Sequence, residues 1–235
     1  MIYLIVPTMV ESAPFEACIL DTVSFDVGRR RGISGRVVGK TVKVLITGIG
    51  QVNAALALTA MLEYDRPDVV IMTGCAGAYS GASIKTGDVA VATEEIYAEA
   101  GIMTPEGLKG MEETGFPLVE SKGKPFFSRF PLSGKYNELI VAANPGIHTG
   151  PFLTVSTISG TAGRGKELFA RFGALCENME GAAAAQVCLV YGVPFVEIRG
   201  VSNMVEDRDK DKWDIDTAMK NCAAAVIAFI KRLEL

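Results

Sequence analysis

Short apolar runs alternate along the 235-residue chain with stretches of helical period, the pattern of an α/β layer fold. Ile2–Val6 is apolar throughout and predicts a buried first strand. Lys43–Thr47, Val69–Thr73, Val89–Thr93, Leu153–Ser156 and Phe195–Val201 predict further strands of the same kind. Helices are predicted over Gln51–Tyr64, Gly134–Ala143, Ala162–Phe172, Gly181–Tyr191 and Trp213–Leu233. The last repeats apolar residues near helical period from Ile215 to Leu233. Asp214 and Asp216 lie near its start and Lys231 and Arg232 near its end, as the macrodipole prefers. Residues 99–131, rich in Gly, Pro and charge, read as a long loop or flap over a site, and 203–212 as a polar loop. There is no internal repeat or linker-like stretch, so residues 1–235 read as one domain.

Composition narrows the function classes. A net charge of -4 argues against nucleic acid as partner, because phosphate contacts need clustered Lys and Arg. The one basic run, Arg29-Arg30-Arg31 between Gly28 and Gly32, reads as a solvated hairpin tip. No stretch approaches the length of a membrane span, and the opening apolar run is too short for a secretory signal. Five scattered cysteines without a CxxC pair suit reduced thiols in a cytoplasm. The single histidine, His148 in a Pro-Gly loop, reads as a surface or packing residue. It gives no basis for a histidine-rich metal site or a Ser-His-Asp triad, and no cofactor or metal is expected.

Candidate chemistry sits where strands end. Three glycine turns follow strands: Thr47-Gly48-Ile49-Gly50, Thr73-Gly74-Cys75-Ala76-Gly77 and Ser159-Gly160-Thr161-Ala162-Gly163. Such turns let backbone approach a ligand and expose N–H donors, or they serve a tight strand exit alone. Gly48-x-Gly50 lacks the third glycine of a dinucleotide fingerprint, since Asn53 takes its place, and no GKS or GKT phosphate loop is present. Glu11 follows the first strand, where a carboxylate faces a ligand crevice or favours the first turn of a helix. Glu180 stands at the start of the Ala-rich helix, as a cap or as an acceptor for a vicinal diol. Arg199 lies on the strongest apolar strand and needs a partner, with Glu11 or Glu197 as candidates.

Several motifs, in order along the chain, resemble the purine nucleoside phosphorylase and nucleosidase superfamily. They are Thr47-Gly-Ile-Gly-Gln-Val-Asn-Ala-Ala, Pro67-Asp-Val-Val-Ile-Met-Thr-Gly-Cys-Ala-Gly, Lys85-Thr-Gly-Asp-Val, Glu177-Asn-Met-Glu-Gly-Ala-Ala and Gly192-Val-Pro-Phe-Val-Glu-Ile-Arg-Gly-Val-Ser-Asn. The resemblance implies a three-layer αβα sandwich around a mixed, barrel-like sheet, a small-molecule purine nucleoside as substrate, and a homodimer or higher homo-oligomer. Met72 and the Pro7-Thr-Met-Val-Glu loop stand where hexameric-type phosphorylases carry arginines. A phosphate nucleophile would lack its charge-assisted donors, so hydrolysis is expected.

The resemblance also distributes roles. Glu11, aided by Arg199, would orient the attacking water, and Glu180, beside Met179, would hold the ribose hydroxyls. Ile158 and Ser159 would line the base pocket, and Cys75, Ala76 and Gly77 the ribose face; Cys75 departs from the Ser common in nucleosidases. Asn203 stands where adenine-specific nucleosidases have Asp. Its amide accepts from a protonated N7 and donates to a 6-oxo group, so it suits hypoxanthine better than adenine. Ser202-Asn203, Asp207-Arg208-Asp209 and Trp213-Asp214-Ile215 look like the futalosine hydrolase branch, which releases hypoxanthine on an alternative route to menaquinone. The alternatives are an adenine-releasing nucleosidase acting on methylthioadenosine, adenosylhomocysteine or aminofutalosine, a phosphorylase, and a binding protein without turnover. Phe126, Phe127 and Phe130 could wall a 5′ substituent or simply pack.

Overall fold

In the computed structural model, which describes residues 1–235, β1 (Ile2–Val6) leads into α1 (Met9–Glu16) and a meander of β2 (Leu20–Val27), β3 (Arg30–Val37) and β4 (Lys40–Ile46). Then come α2 (Gln51–Tyr64), β5 (Val69–Ala78) and β6 (Val89–Tyr97). Two small hairpins follow, β7 (Gly101–Thr104) with β8 (Gly107–Gly110) and β9 (Val119–Ser121) with β10 (Lys124–Phe126), before β11 (Arg129–Pro131) and α3 (Gly134–Ala143). The chain closes through β12 (His148–Thr154), α4 (Ala162–Phe172), β13 (Cys176–Asn178), α5 (Gly181–Tyr191), β14 (Phe195–Met204) and α6 (Ile215–Arg232).

Period-two side-chain alternation sorts the central strands between two helical layers. In β1, Ile2, Leu4 and Val6 face a core shared with Phe15 of α1 and with Met219, Val226 and Phe229 of α6. Tyr3 and Ile5 face the opposite core, with Ala54, Leu58 and Met61 of α2 and Ala184 and Cys188 of α5. β5 divides likewise, Val69 and Ile71 to one side and Val70 and Met72 to the other. The expected αβα sandwich follows from that sorting.

The sheet is mixed and closes on itself in part. β5 pairs in parallel with β14 and antiparallel with β13, β13 pairs with β12, β12 with β6, and β6 antiparallel with β14, which completes a ring. β1, β4, β3 and β2 extend from β5 as an open wing. Both ring strands β5 and β14 run beyond their expected ends at Thr73 and Val201. Gly74, Cys75, Ala76, Gly77 and Ala78 have little intrinsic strand preference, yet each pairs with β14, and that tertiary pairing overrides local propensity. A bulge between Val201 and Asn203 breaks the register there.

Residues 99–131 are not a flap over the cavity described below. Phe126 stacks on Phe130 at 6.3 Å and Phe130 meets Tyr97 edge-on at 5.8 Å, inside the core beneath α2 and α5. The reason is apolar burial: with Leu118 and Val119 these rings cover the outer face of that core. No helix is long and apolar enough to cross a membrane.

Candidate active site

A cavity of about 370 Å³ opens where β1, β5, β13 and β14 end. That volume lies in the range of small-molecule sites. Four wall segments carry its polar groups: the first turn of α1, the Cys75–Gly77 stretch of β5, the Glu177–Glu180 junction of β13 and α5, and Ser202–Asn203 of β14. Ile49, Val155, Ile158, Trp213 and Ile215 supply the apolar remainder. Arg208 stacks over Trp213 at 5.2 Å and holds that ring at the rim.

Glu11 enters on a helix the sequence reading missed. Pro7 and Pro14 bracket the segment and disguise α1, but Thr8 caps it, its Oγ1 accepting from Glu11 N at 3.3 Å. The Glu11 carboxylate then turns away from the helix. Oε1 accepts from Cys75 N at 2.8 Å and Oε2 from the Thr8 hydroxyl at 2.6 Å. Each oxygen keeps a lone pair for a further donor.

Glu180 precedes α5, yet its side chain makes no helix-capping bond. Asn178 caps instead, its Oδ1 accepting from Glu180 N at 2.9 Å and Gly181 N at 2.7 Å. The Glu180 carboxylate, so released, accepts from Gly50 N at 2.8 Å and from Arg199 Nη2 at 3.2 Å. Gly50 thus spends its exposed N–H on a carboxylate. Burial pushes the Glu180 carboxyl above the ordinary range, against the pull of Arg199 and the Gly50 N–H.

Arg199 lies elsewhere than the sequence reading put it. It is fully buried behind the cavity wall and is not among the residues that line it. Nε pairs with Glu197 at 2.7 Å, Nη2 with Glu180 at 3.2 Å, and Nη1 donates to the Cys75 carbonyl at 3.3 Å. No ion pair joins it to Glu11; the Cys75 peptide stands between, bonded to both. Burial alone would weaken its proton affinity, and Glu197 and Glu180 more than reverse that, so the guanidinium stays charged. Arg199 therefore positions other groups.

Asn203 lines the cavity next to Ser202, a placement that strand alternation forbids and the bulge permits. Asn203 Nδ2 donates to the Met204 carbonyl at 3.1 Å, and the Ser202 hydroxyl donates to Asn203 Oδ1 at 2.8 Å. A carbonyl only accepts, so the amide nitrogen must face Met204, which fixes the orientation. One N–H and one lone pair remain unused within the protein.

Cys75, Ala76, Gly77, Ile158 and Met179 line the same cavity, whereas Ser159 does not. Ser159 is drawn behind the wall because its N–H and hydroxyl both bond Glu177, at 2.8 Å and 2.7 Å, joined by Tyr79 OH at 2.9 Å. Burial first, then Glu11, pushes the Cys75 thiol up, which keeps it an uncharged wall. Sequence reasoning missed Asn178, the hub beneath Glu180. Its only signal was Asx preference at a helix start, which pointed to the wrong neighbour. His148 lies outside the cavity, near Asp88 at 3.3 Å. No group of three or more His, Cys, Asp or Glu side chains is arranged to hold a metal ion.

Similarity to known proteins agrees with this geometry. The chain is 38% identical over 183 residues to futalosine hydrolase of Thermus thermophilus, covering 77% of this chain and 78% of that one. It is 30% identical over 219 residues to a 5′-methylthioadenosine/S-adenosylhomocysteine nucleosidase of Exiguobacterium, covering 92% and 91%. The fold superposes with a TM-score of 0.85, at 25% identity and 99% coverage of both chains, on the Neisseria meningitidis nucleosidase of that name in complex with methylthio-immucillin-A. Residues 2–233 match the family model described as Phosphorylase superfamily, and the chain belongs to that superfamily.

Proposed function

We propose that this enzyme hydrolyses the N-glycosidic bond of futalosine, releasing hypoxanthine, and so serves the futalosine route to menaquinone. The chain is a nucleosidase; the proposal concerns its substrate and the roles of its residues. The observation that carries it is the fixed Asn203 amide, a cavity-lining group with one lone pair and one N–H not used within the protein. That pair complements a 6-oxopurine protonated at N7, whose N7–H donates and whose O6 accepts. An adenine protonated at N7 would set its amino group against the amide N–H, leaving donors unpaired.

The reaction is read as dissociative. As the C1′–N9 bond loosens, positive charge grows on the ribosyl group and electron density on the purine. Asn203 stabilises the leaving base, whose proton arrives through water because an amide is too weak an acid. Glu180, with a free lone pair on each oxygen, accepts from the ribose hydroxyls. Glu11 orients the attacking water and takes its proton. Arg199 and Asn178 hold Glu180, and the Cys75 N–H holds Glu11. Cys75, Ala76 and Gly77 form the ribose face, and Ile158 and Met179 an apolar wall for the base. The homo-oligomer the family resemblance carries would cover exposed apolar residues beside the mouth, Ile49, Val52 and Leu56 among them.

The relatives named as methylthioadenosine/adenosylhomocysteine nucleosidases favour adenine release as the second reading. Turnover in phosphate-free buffer made with ¹⁸O-water separates hydrolysis from phosphorolysis. Label at the ribosyl C1′ hydroxyl, at a rate indifferent to added phosphate, is expected. Phosphate-dependent turnover yielding a ribosyl phosphate overturns the reading.

A further inference from the structure

Behind the cavity lies a second pair of carboxyl groups, with no part in the reaction as described. Glu95 on β6 and Glu197 on β14 are both 0% exposed. Glu95 Oε1 accepts from Asn178 Nδ2 at 2.6 Å and Oε2 from the Thr154 hydroxyl at 2.7 Å. Glu197 Oε1 accepts from Arg199 Nε at 2.7 Å, but Glu197 Oε2 has no donor. The two carboxyls face each other beside α5, with no cation between them. They converge on Gly181, where a Cβ would fall 2.2 Å from Glu95 Oε1 and 2.3 Å from Glu197 Oε2. Only glycine leaves room for that meeting.

Charge arithmetic limits how this cluster is ionised. The buried cation is Arg199, and Glu197 and Glu180 are its carboxylate partners. Cys176 on β13 and Tyr97 beside Glu95 also face the pair, and burial, then Glu95, pushes both toward their neutral forms. No cation remains for Glu95. Two touching carboxylates in a dry interior do not both ionise, and a buried acceptor without a donor is costly. One proton resolves both difficulties.

We infer that Glu95 is protonated at neutral pH and donates from Oε1 to the orphaned Glu197 Oε2, and that this pair positions the ribose-binding carboxylate. Two arms carry the effect. Glu197, held as an anion, fixes Arg199, whose Nη2 grips Glu180 at 3.2 Å. Glu95 also anchors Asn178, whose Oδ1 holds the Glu180 and Gly181 N–H groups and accepts from Arg199 at 3.3 Å. Glu95 and Glu197 are positioning residues, and the inference rests on the reading that Glu180 binds ribose. Burial first, then Glu197, raises the Glu95 carboxyl well above the ordinary range, in the same sense.

Infrared difference spectra of the ligand-free protein at pH 7, in H₂O and D₂O, test the proton directly. The wild type should show the carbonyl band of a protonated carboxyl, shifting on deuteration. The band should vanish in Glu95→Gln, which has no acid there, and in Glu197→Gln, whose amide N–H lets Glu95 ionise. Glu95→Ala should lower kcat/KM about 100-fold, the scale of a misplaced binding group. Glu95→Gln, which restores a donor toward Glu197 but cannot accept from Asn178 at the same atom, should recover only the part of that loss carried through Glu197 and Arg199. A wild type without the band, or a band persisting in either glutamine variant, overturns the shared proton. Full activity in Glu95→Ala overturns the positioning role. The spectra need no substrate, so an enzyme that shows the band but ignores futalosine would refute the substrate and leave the proton pair standing.

Discussion

Glu180 carries the account at the scale of single residues, since its carboxylate is already held by one donor on each oxygen and is short of two. Replacing it with Gln removes charge-assisted bonds to ribose worth about 3 kcal/mol together, so kcat/KM should fall roughly 100-fold in steady-state assays while the melting temperature changes little. The same group predicts the pH profile. Its carboxyl is raised above the ordinary 4.5 and must be ionised to accept from ribose, so the acid limb of kcat/KM should lie above 4.5. Arg199 holds that carboxyl down, so Arg199→Gln should move the limb further up; an unmoved limb would detach it from Glu180. Glu11, Glu180 and Asn203 all line the cavity, but position alone left the two carboxylates open between a ligand and a helix terminus, and the family resemblance singled out Asn203. Arg199 was legible as a charge needing a partner, and Glu197, two residues away, is one as expected; its bond to Glu180 depended on a neighbour from another element. Glu95 gave no signal and Asn178 only that of an Asx residue near a helix start, since their meeting depends on strands brought together by the ring.

Among the elements, the junction of β5 with β14 decides where the chemistry sits. Gly74 sits between two site residues: a Cβ there would lie 2.6 Å from Arg199 Nη1, 2.9 Å from Glu11 Oε1 and 3.0 Å from Pro7. Gly74→Ala should therefore cost about 1–3 kcal/mol in denaturant melts and lower kcat/KM more than any loss of folded protein explains. A neutral Gly74→Ala would mean that Arg199 and Glu11 have slack. Helices were the most legible elements, Gln51–Tyr64 and Ala162–Phe172 matching residue for residue, because their apolar spacing is local. β2 and β3 were not, since β2 is largely exposed and carries no alternating core signal. The extension of β5 into Gly74–Ala78 was hidden for a different reason: its strand character comes from its partner.

For the molecule as a whole, two helical layers around a partly closed sheet place Glu11, Glu180 and Asn203 around one cavity, the groups proposed to orient water, bind ribose and read the base. The layer architecture was readable from alternation of strand and helix patterns. Closure of the ring was expected only from the family resemblance, because it depends on long-range pairing that no local pattern encodes. This cavity is proposed to distinguish a 6-oxopurine from a 6-aminopurine through Asn203. That distinction is tested most directly by kcat/KM for hypoxanthine release from futalosine and for adenine release from aminofutalosine, side by side in phosphate-free buffer. One mismatched buried hydrogen-bonding group costs about 1–3 kcal/mol, so hypoxanthine release should be faster by roughly 5- to 150-fold. Adenine release at an equal or higher rate would contradict the account and place the enzyme with the adenine-specific nucleosidases.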